Sequence, residues 1–212
     1  MGTNMSRWVS SQWAILAGTS RAQWWLFVSG VALMAFGVGA GILPSGLGAG
    51  TARAIPMGLT ELTALSLGVW VVVISFVLLL VTRLLGTAVT LGTILLTVFF
   101  GVLIDVAFAV APHVSTLPAQ SVQWFAGAVA LAFGAGFTIN SGVGTNEYSV
   151  ATVAVSNRLG GRLWLGRSVL DGSTVAIALI VGGPIGWGTV GLMVVLPLVL
   201  PAVVRATAPL AH

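Results

Sequence analysis

Four carboxylates occur in this chain of 212 residues: Glu61, Asp105, Glu147 and Asp171. The sequence around them is 58% hydrophobic and 6% charged, so each carboxylate needs a reason to be there. A charge at the centre of a bilayer costs about 2.5–3.5 kcal/mol on insertion scales. Asp105 lies deep in an apolar run, Gly101-Val-Leu-Ile-Asp105, and is expected to face a bundle interior. There it either forms part of a substrate or ion path or makes a structural hydrogen bond. Arg167 and Asp171 stand four apart on one helix face and are expected to form a structural ion pair. Glu147 adjoins a glycine-rich break, where a carboxylate suits a helix N-terminus or a ligand contact. Glu61 is expected at the solvated end of a helix.

Nothing else in the sequence assembles into a catalytic constellation. The histidines are His113 and His212, far from any carboxylate cluster, and no HExxH, GxSxG or Walker A pattern occurs. With no cysteine, thiol catalysis, disulfides and thiolate-held metals are excluded. The chain is therefore expected to be no enzyme, to carry no metal site and to need no cofactor.

The elements that position these residues are membrane-length helices. A mean hydropathy of +1.10 leaves too little polar surface to cover a domain in water. Crossing a hydrocarbon core of about 30 Å takes about 20 helical residues. Six runs meet that length: residues 24–43, 62–82, 92–111, 122–139, 166–181 and 188–204. The basic residues are all arginine and lie singly between these runs, which points to membrane lipids and not to nucleic acid as partners. With both termini cytoplasmic, Arg7, Arg21, Arg83, Arg158, Arg162, Arg167 and Arg205 fall inside and only Arg53 outside. The loops at 112–121 and 182–187 then hold no positive charge, as outside loops should. Residues 1–23 carry scattered Trp and Arg and read as an interfacial segment leading to Trp24 and Trp25.

The sequence also repeats itself. GVALMAFGVGAGI from Gly30 matches GAVALAFGAGFTI from Gly127, and Ser45-Gly46-Leu47-Gly48 matches Ser141-Gly142-Val143-Gly144. Further on, Gly92-Thr93 matches Gly188-Thr189. A repeat with three spans must enter the membrane from opposite sides in its two copies. This is the plan many secondary transporters use, with a site near the midplane where the halves meet. The expected architecture is thus an all-α membrane protein, with six transmembrane helices as two inverted three-helix repeats (residues 24–111 and 122–205) and a tail at 206–212.

Each repeat carries a glycine-rich break, Pro44-Ser-Gly-Leu-Gly-Ala-Gly-Thr51 and Ser141-Gly-Val-Gly-Thr-Asn-Glu147. Such a density of glycine ends a helix, and Thr51 or Asn146 could cap the next one, whose free N–H groups favour an anion or polar ligand. Irregular backbone at membrane depth is tolerated where it is buried in protein or lines a cavity, whereas at the surface the same segments are ordinary loops. The candidate substrate path therefore comprises Asp105, Gly48, Gly50, Thr51, Asn140, Gly144, Asn146, Glu147, Thr93 and Thr189. The glycines of Gly37-Val-Gly-Ala-Gly41 are expected to pack a neighbouring helix.

From roughly Trp24 to Pro201 the chain resembles the YczE/YyaS/YitT family of bacterial multi-pass membrane proteins. The likeness rests on Gly92-Thr93 with Gly101 and Asp105, on Gly182-Gly-Pro-Ile-Gly-Trp-Gly-Thr189, and on Arg167 with Asp171. Where relatives carry Pro-x-Asp after the break, this chain has Thr51-Ala-Arg53 and Glu147-Tyr-Ser149. The resemblance implies a multi-pass protein of the bacterial cell membrane and a transporter or regulatory role. Two functions follow as expectations. One is transport of a small solute of unknown identity through a central site between the repeats. The other is a non-transporting accessory or regulatory role, in which the same features only pack helices. A second copy of the chain is a candidate partner.

Overall fold

The computed structural model describes residues 12–13 and 16–211. Most of the expected interfacial segment at 1–23, including Arg7, lies outside the described residues. Eight α-helices follow: α1 (Arg21–Phe36), α2 (Thr51–Leu62), α3 (Leu67–Leu84), α4 (Leu91–Ala109), α5 (Leu117–Ser141), α6 (Glu147–Arg158), α7 (Leu163–Ile180) and α8 (Trp187–Thr207). α1 runs on through a π-helical stretch, Gly37–Ile42, and a 3-10 turn, Leu43–Ser45. Six helical stretches are long and apolar enough to cross a membrane: Arg21–Ser45, Leu67–Leu84, Leu91–Ala109, Leu117–Ser141, Leu163–Ile180 and Trp187–Leu210.

The helix starts follow local chemistry. Ser20 opens α1 with a capping box to Gln23, while the Ser66 and Thr90 hydroxyls accept from the backbone N–H of Val69 and Thr93 to open α3 and α4. Ser66 also corrects the second span, which begins at Leu67 and not at residue 62. Hydropathy merges the end of α2 into it, whereas the chain turns extended at Thr63 and a new helix is capped. Likewise α5 begins at Leu117, so the expected loop at 112–121 is shorter, and α7 begins at Leu163, ahead of the expected 166. Each half therefore holds four helices and not three, the additional ones being the short α2 and α6.

The helix bounds recur at a constant offset of 96 residues: Arg21 and Leu117, Thr51 and Glu147, Leu67 and Leu163, Leu91 and Trp187. α1 and α5 form the centre of the bundle and cross where glycines let the two backbones approach closely. A Cβ on Gly30 would lie 2.8 Å from Gly134 O, and one on Gly37 would lie 2.7 Å from Gly127 O. Because Gly30 faces Gly134 while the later Gly37 faces the earlier Gly127, the two helices run antiparallel. Gly37 and Gly41, four apart, both rest on Gly127. Phe27, Val31, Met34, Ile42, Phe100 and Ile104 fill the core around this crossing.

Around that axis α4 packs on α1 and α8 on α5, while α2 packs on α7 and α6 on α3. The short helix of each half thus leans on the other half. One pairing is unequal: α3 and α4 pack together, but α7 and α8 do not form a packed pair.

Candidate functional site

The two breaks fold alike. Ser45 Oγ donates to Ile42 O (2.6 Å) and accepts from Leu47 N, while Ser141 Oγ donates to Thr138 O (2.7 Å) and accepts from Val143 N. Gly46 and Gly142 follow in the left-handed region, at φ 73° and 69°, where a Cβ would be strained. Each break then packs against the start of the last helix of the other half. Gly188 N donates to Leu47 O (2.7 Å), and a Cβ on Gly48 would meet Thr189 Oγ1 at 2.5 Å. In the reciprocal contact, a Cβ on Gly92 would fall on Val143 O, and one on Gly144 would fall on the Gly92 carbonyl carbon.

Beyond the breaks, α2 and α6 begin close to one another, and their first turns carry the chemistry. Asp171 collects three donors: Thr51 Oγ1 (2.7 Å) and the Tyr148 hydroxyl (2.6 Å) on Oδ1, and Arg167 Nε (2.9 Å) on Oδ2. The Arg167 guanidinium lies over the Tyr148 ring, 4.6 Å from its centroid. Tyr148 sits on α6, outside the six span-length helices. Beside this cluster Arg53 Nη1 pairs with Glu147 Oε1 at 3.0 Å, and the guanidinium lies 4.5 Å from the Phe100 ring centroid. Side-chain exposure of the two carboxylates is only 3% and 4%, so both carboxylates are matched away from solvent. Thr51 and Arg53 come from the first half, Glu147 and Asp171 from the second, so these contacts tie the halves together.

The cluster forms one wall of a cavity of about 780 Å³, within the range that holds small-molecule ligands. Gly50, Thr51, Arg53, Asn146, Tyr148, Ser149, Arg167 and Asp171 supply its polar side; Met34, Ile42, Leu131, Leu192, Leu196 and Leu200 are among its apolar lining. The cap of α6 is Asn146, whose Oδ1 accepts from Ser149 N at 2.7 Å. α2 has Gly50 at its cap position and no side-chain cap, because Thr51 is already helical and turns its hydroxyl to Asp171. Among the described residues the N–H groups of Thr51 and Ala52 make no hydrogen bond beside the cavity, whereas Arg53 N already donates to Gly50 O.

Of the residues expected on a substrate path, Gly50, Thr51 and Asn146 line this cavity. Glu147 stands behind it, holding Arg53. Gly48, Gly144, Thr93 and Thr189 form the contacts between break and helix start. Asn140 donates to Val204 O and Thr207 Oγ1, fixing α5 to the end of α8. Asp105 lies elsewhere: it accepts from Ser66 Oγ and Gly68 N, both at 2.6 Å, and fastens α4 to the start of α3. Arg167 and Asp171 form the expected pair, but at the cavity wall. Sequence reasoning placed Arg53 in an outside loop and passed over Tyr148 and Ser149. A signal was present in Tyr148, the one tyrosine of the chain, next to a break and a carboxylate.

Residues 21–202 match a family model described as "Family of unknown function (DUF6198)". The chain is 26% identical over 169 residues to the "Uncharacterized membrane protein YczE" of Bacillus subtilis (strain 168), a match covering 79% of each. No solved structure matches the chain. The family match begins at the first residue of α1 and ends within α8, so it takes in both breaks and the cavity between them. On that extent the chain belongs to the family described as DUF6198, an integral membrane protein of YczE-like kind.

Proposed function

We propose that the chain transports a small polar or anionic solute through the cavity between its two halves, which are inverted repeats. The observation that carries this reading is the meeting of two half-length helices at one cavity. α2 and α6 have 12 residues each, about 18 Å at 1.5 Å per residue, or roughly half a bilayer. Their N-termini come together across the Arg53–Glu147 bond and direct positive dipole ends toward the lining. Discontinuous helices arranged this way recur where transporters hold an anionic group near the midplane. The antiparallel crossing of α1 and α5, the 96-residue recurrence of helix starts and the reciprocal packing of the breaks support the inverted-repeat reading.

The protein sits in the bacterial cell membrane with both termini cytoplasmic. Arg53 had been the one arginine at odds with that orientation. Arg53 and Arg167 are no loop charges but partners of buried carboxylates, and the arginines that lie between spans, Arg21, Arg83, Arg158, Arg162 and Arg205, support that orientation by their placement in the sequence.

Single-cysteine labelling tests the reading, because the chain has no native cysteine. Ser149 lines the cavity, whereas Ser115 and Asn157 are exposed outside it. With a membrane-impermeant thiol reagent, Ser115→Cys should react only from outside and Asn157→Cys only from inside. Ser149→Cys should react from each side in turn. Reaction of Ser149→Cys from one side under every condition would favour the accessory or regulatory role instead.

A further inference from the structure

The unequal packing of the two halves bears on what the cavity takes. In the first half α3 and α4 close tightly: a Cβ on Gly68 would fall on Gly101 O, and Asp105 bonds Ser66 Oγ and Gly68 N. At the 96-residue offset, Gly68 becomes Trp164, Gly101 becomes Pro197 and Asp105 becomes Pro201. The two glycines that allow contact are replaced by an indole and a pyrrolidine ring, and the carboxylate that fastens the helices is replaced by a residue with no polar side chain. Trp164 and Pro197 both line the cavity. α7 and α8 accordingly stand apart, and they are the two least buried of the span-length helices. A gap between two membrane-spanning helices gives the cavity a flank that faces lipid.

The lining is graded across this gap. Arg167 spends Nε on Asp171, and its two terminal nitrogens make no hydrogen bond to any described residue. From there the α8 side of the cavity is apolar, through Leu192, Met193, Leu196 and Leu200. A free guanidinium edge at one end and an aliphatic wall at the other complement a molecule with an acidic head and a hydrocarbon chain.

We infer that the cavity takes a single-chain amphipathic acid directly from the bilayer, through the seam between α7 and α8. The head lies at Arg167 and the chain lies along α8. A volume of about 780 Å³ suits one acyl chain in place of a two-chain phospholipid. This inference rests on the transporter reading and names the class of solute and its route.

The test uses the full chain in phosphatidylcholine nanodiscs with a diazirine-bearing dodecanoic acid, photolysed and mapped by mass spectrometry. Saturable adducts are expected on the cavity residues Trp164, Ser168, Met193 or Leu196, removed by excess dodecanoate and not by acetate. The double variant Arg167→Gln with Asp171→Asn, which leaves no unpaired charge, should lose those adducts severalfold. Adducts on the outward-facing Leu80 and Val102 should stay constant and report an intact bundle. Adducts confined to outward-facing residues would overturn the inference, yet leave two-sided labelling of Ser149→Cys to stand or fall by itself. Equal competition by acetate would also overturn it, showing an anion site with no use for a chain.

Discussion

Glu147 and Asp171 are the residues on which the cavity wall depends, and each is held by an arginine. Truncating Arg53 to Ala leaves Glu147, with 3% side-chain exposure, without its cation. Breaking a buried pair from one side typically costs about 3–5 kcal/mol, whereas replacing both partners by apolar groups is often neutral. Arg53→Ala should therefore lower the unfolding temperature in detergent sharply, and Arg53→Met with Glu147→Leu should restore much of it. Asp105 behaves differently. Asp105→Ala leaves the buried Gly68 N–H without its acceptor, a loss of about 1–3 kcal/mol, and should leave labelling of Ser149→Cys unchanged. Lost labelling with unchanged stability would instead put Asp105 on the solute path. Sequence could mark Asp105 as costly but not say what satisfied it, because its partners lie 37 and 39 residues away. The same holds for Asp171: its partner at i−4 was legible from helix geometry, and Thr51, 120 residues away, was not.

At the scale of elements, the glycines divide into those pressed against backbone and those in open space. Gly92→Ala drives a methyl group into Val143 O, and Gly188→Ala places one 2.5 Å from the Trp124 indole nitrogen and 2.9 Å from Leu47 O. Each should destabilise by about 1–3 kcal/mol or more through overpacking. Gly172, in the middle of α7, has nothing within 4 Å of a Cβ, so Gly172→Ala should be neutral or stabilising by up to about 1 kcal/mol. Thermal unfolding of the three variants checks the ordering. The six long helices were legible because a long apolar run has few alternatives. α2 and α6 were not. Each is short and amphipathic or polar, and α2 abuts the apolar run of α3 with only residues 63–66 between. Their existence was hinted at by the capping residue Asn146 and by the glycine breaks, but their position depends on cross-half contacts that no local pattern encodes.

For the molecule as a whole, the repeat was readable because glycine spacing recurs, and glycine recurs because the same close approaches are made twice. What the repeat did not reveal is where the halves differ. The seam closed by Gly68, Gly101 and Asp105 is open at Trp164, Pro197 and Pro201, and only the packed structure gives those positions a meaning. If the halves rock about the α1–α5 crossing to expose the cavity alternately, the far ends of α2 and α6 must change their separation. Leu62 and Leu159, at those ends, are both exposed and accept spin labels after replacement by Cys in this cysteine-free chain. Pulsed electron paramagnetic resonance of the doubly labelled protein in lipid should give at least two distance populations whose weights shift with added dodecanoate. A single narrow distance, unchanged by dodecanoate, would contradict alternating exposure of the cavity.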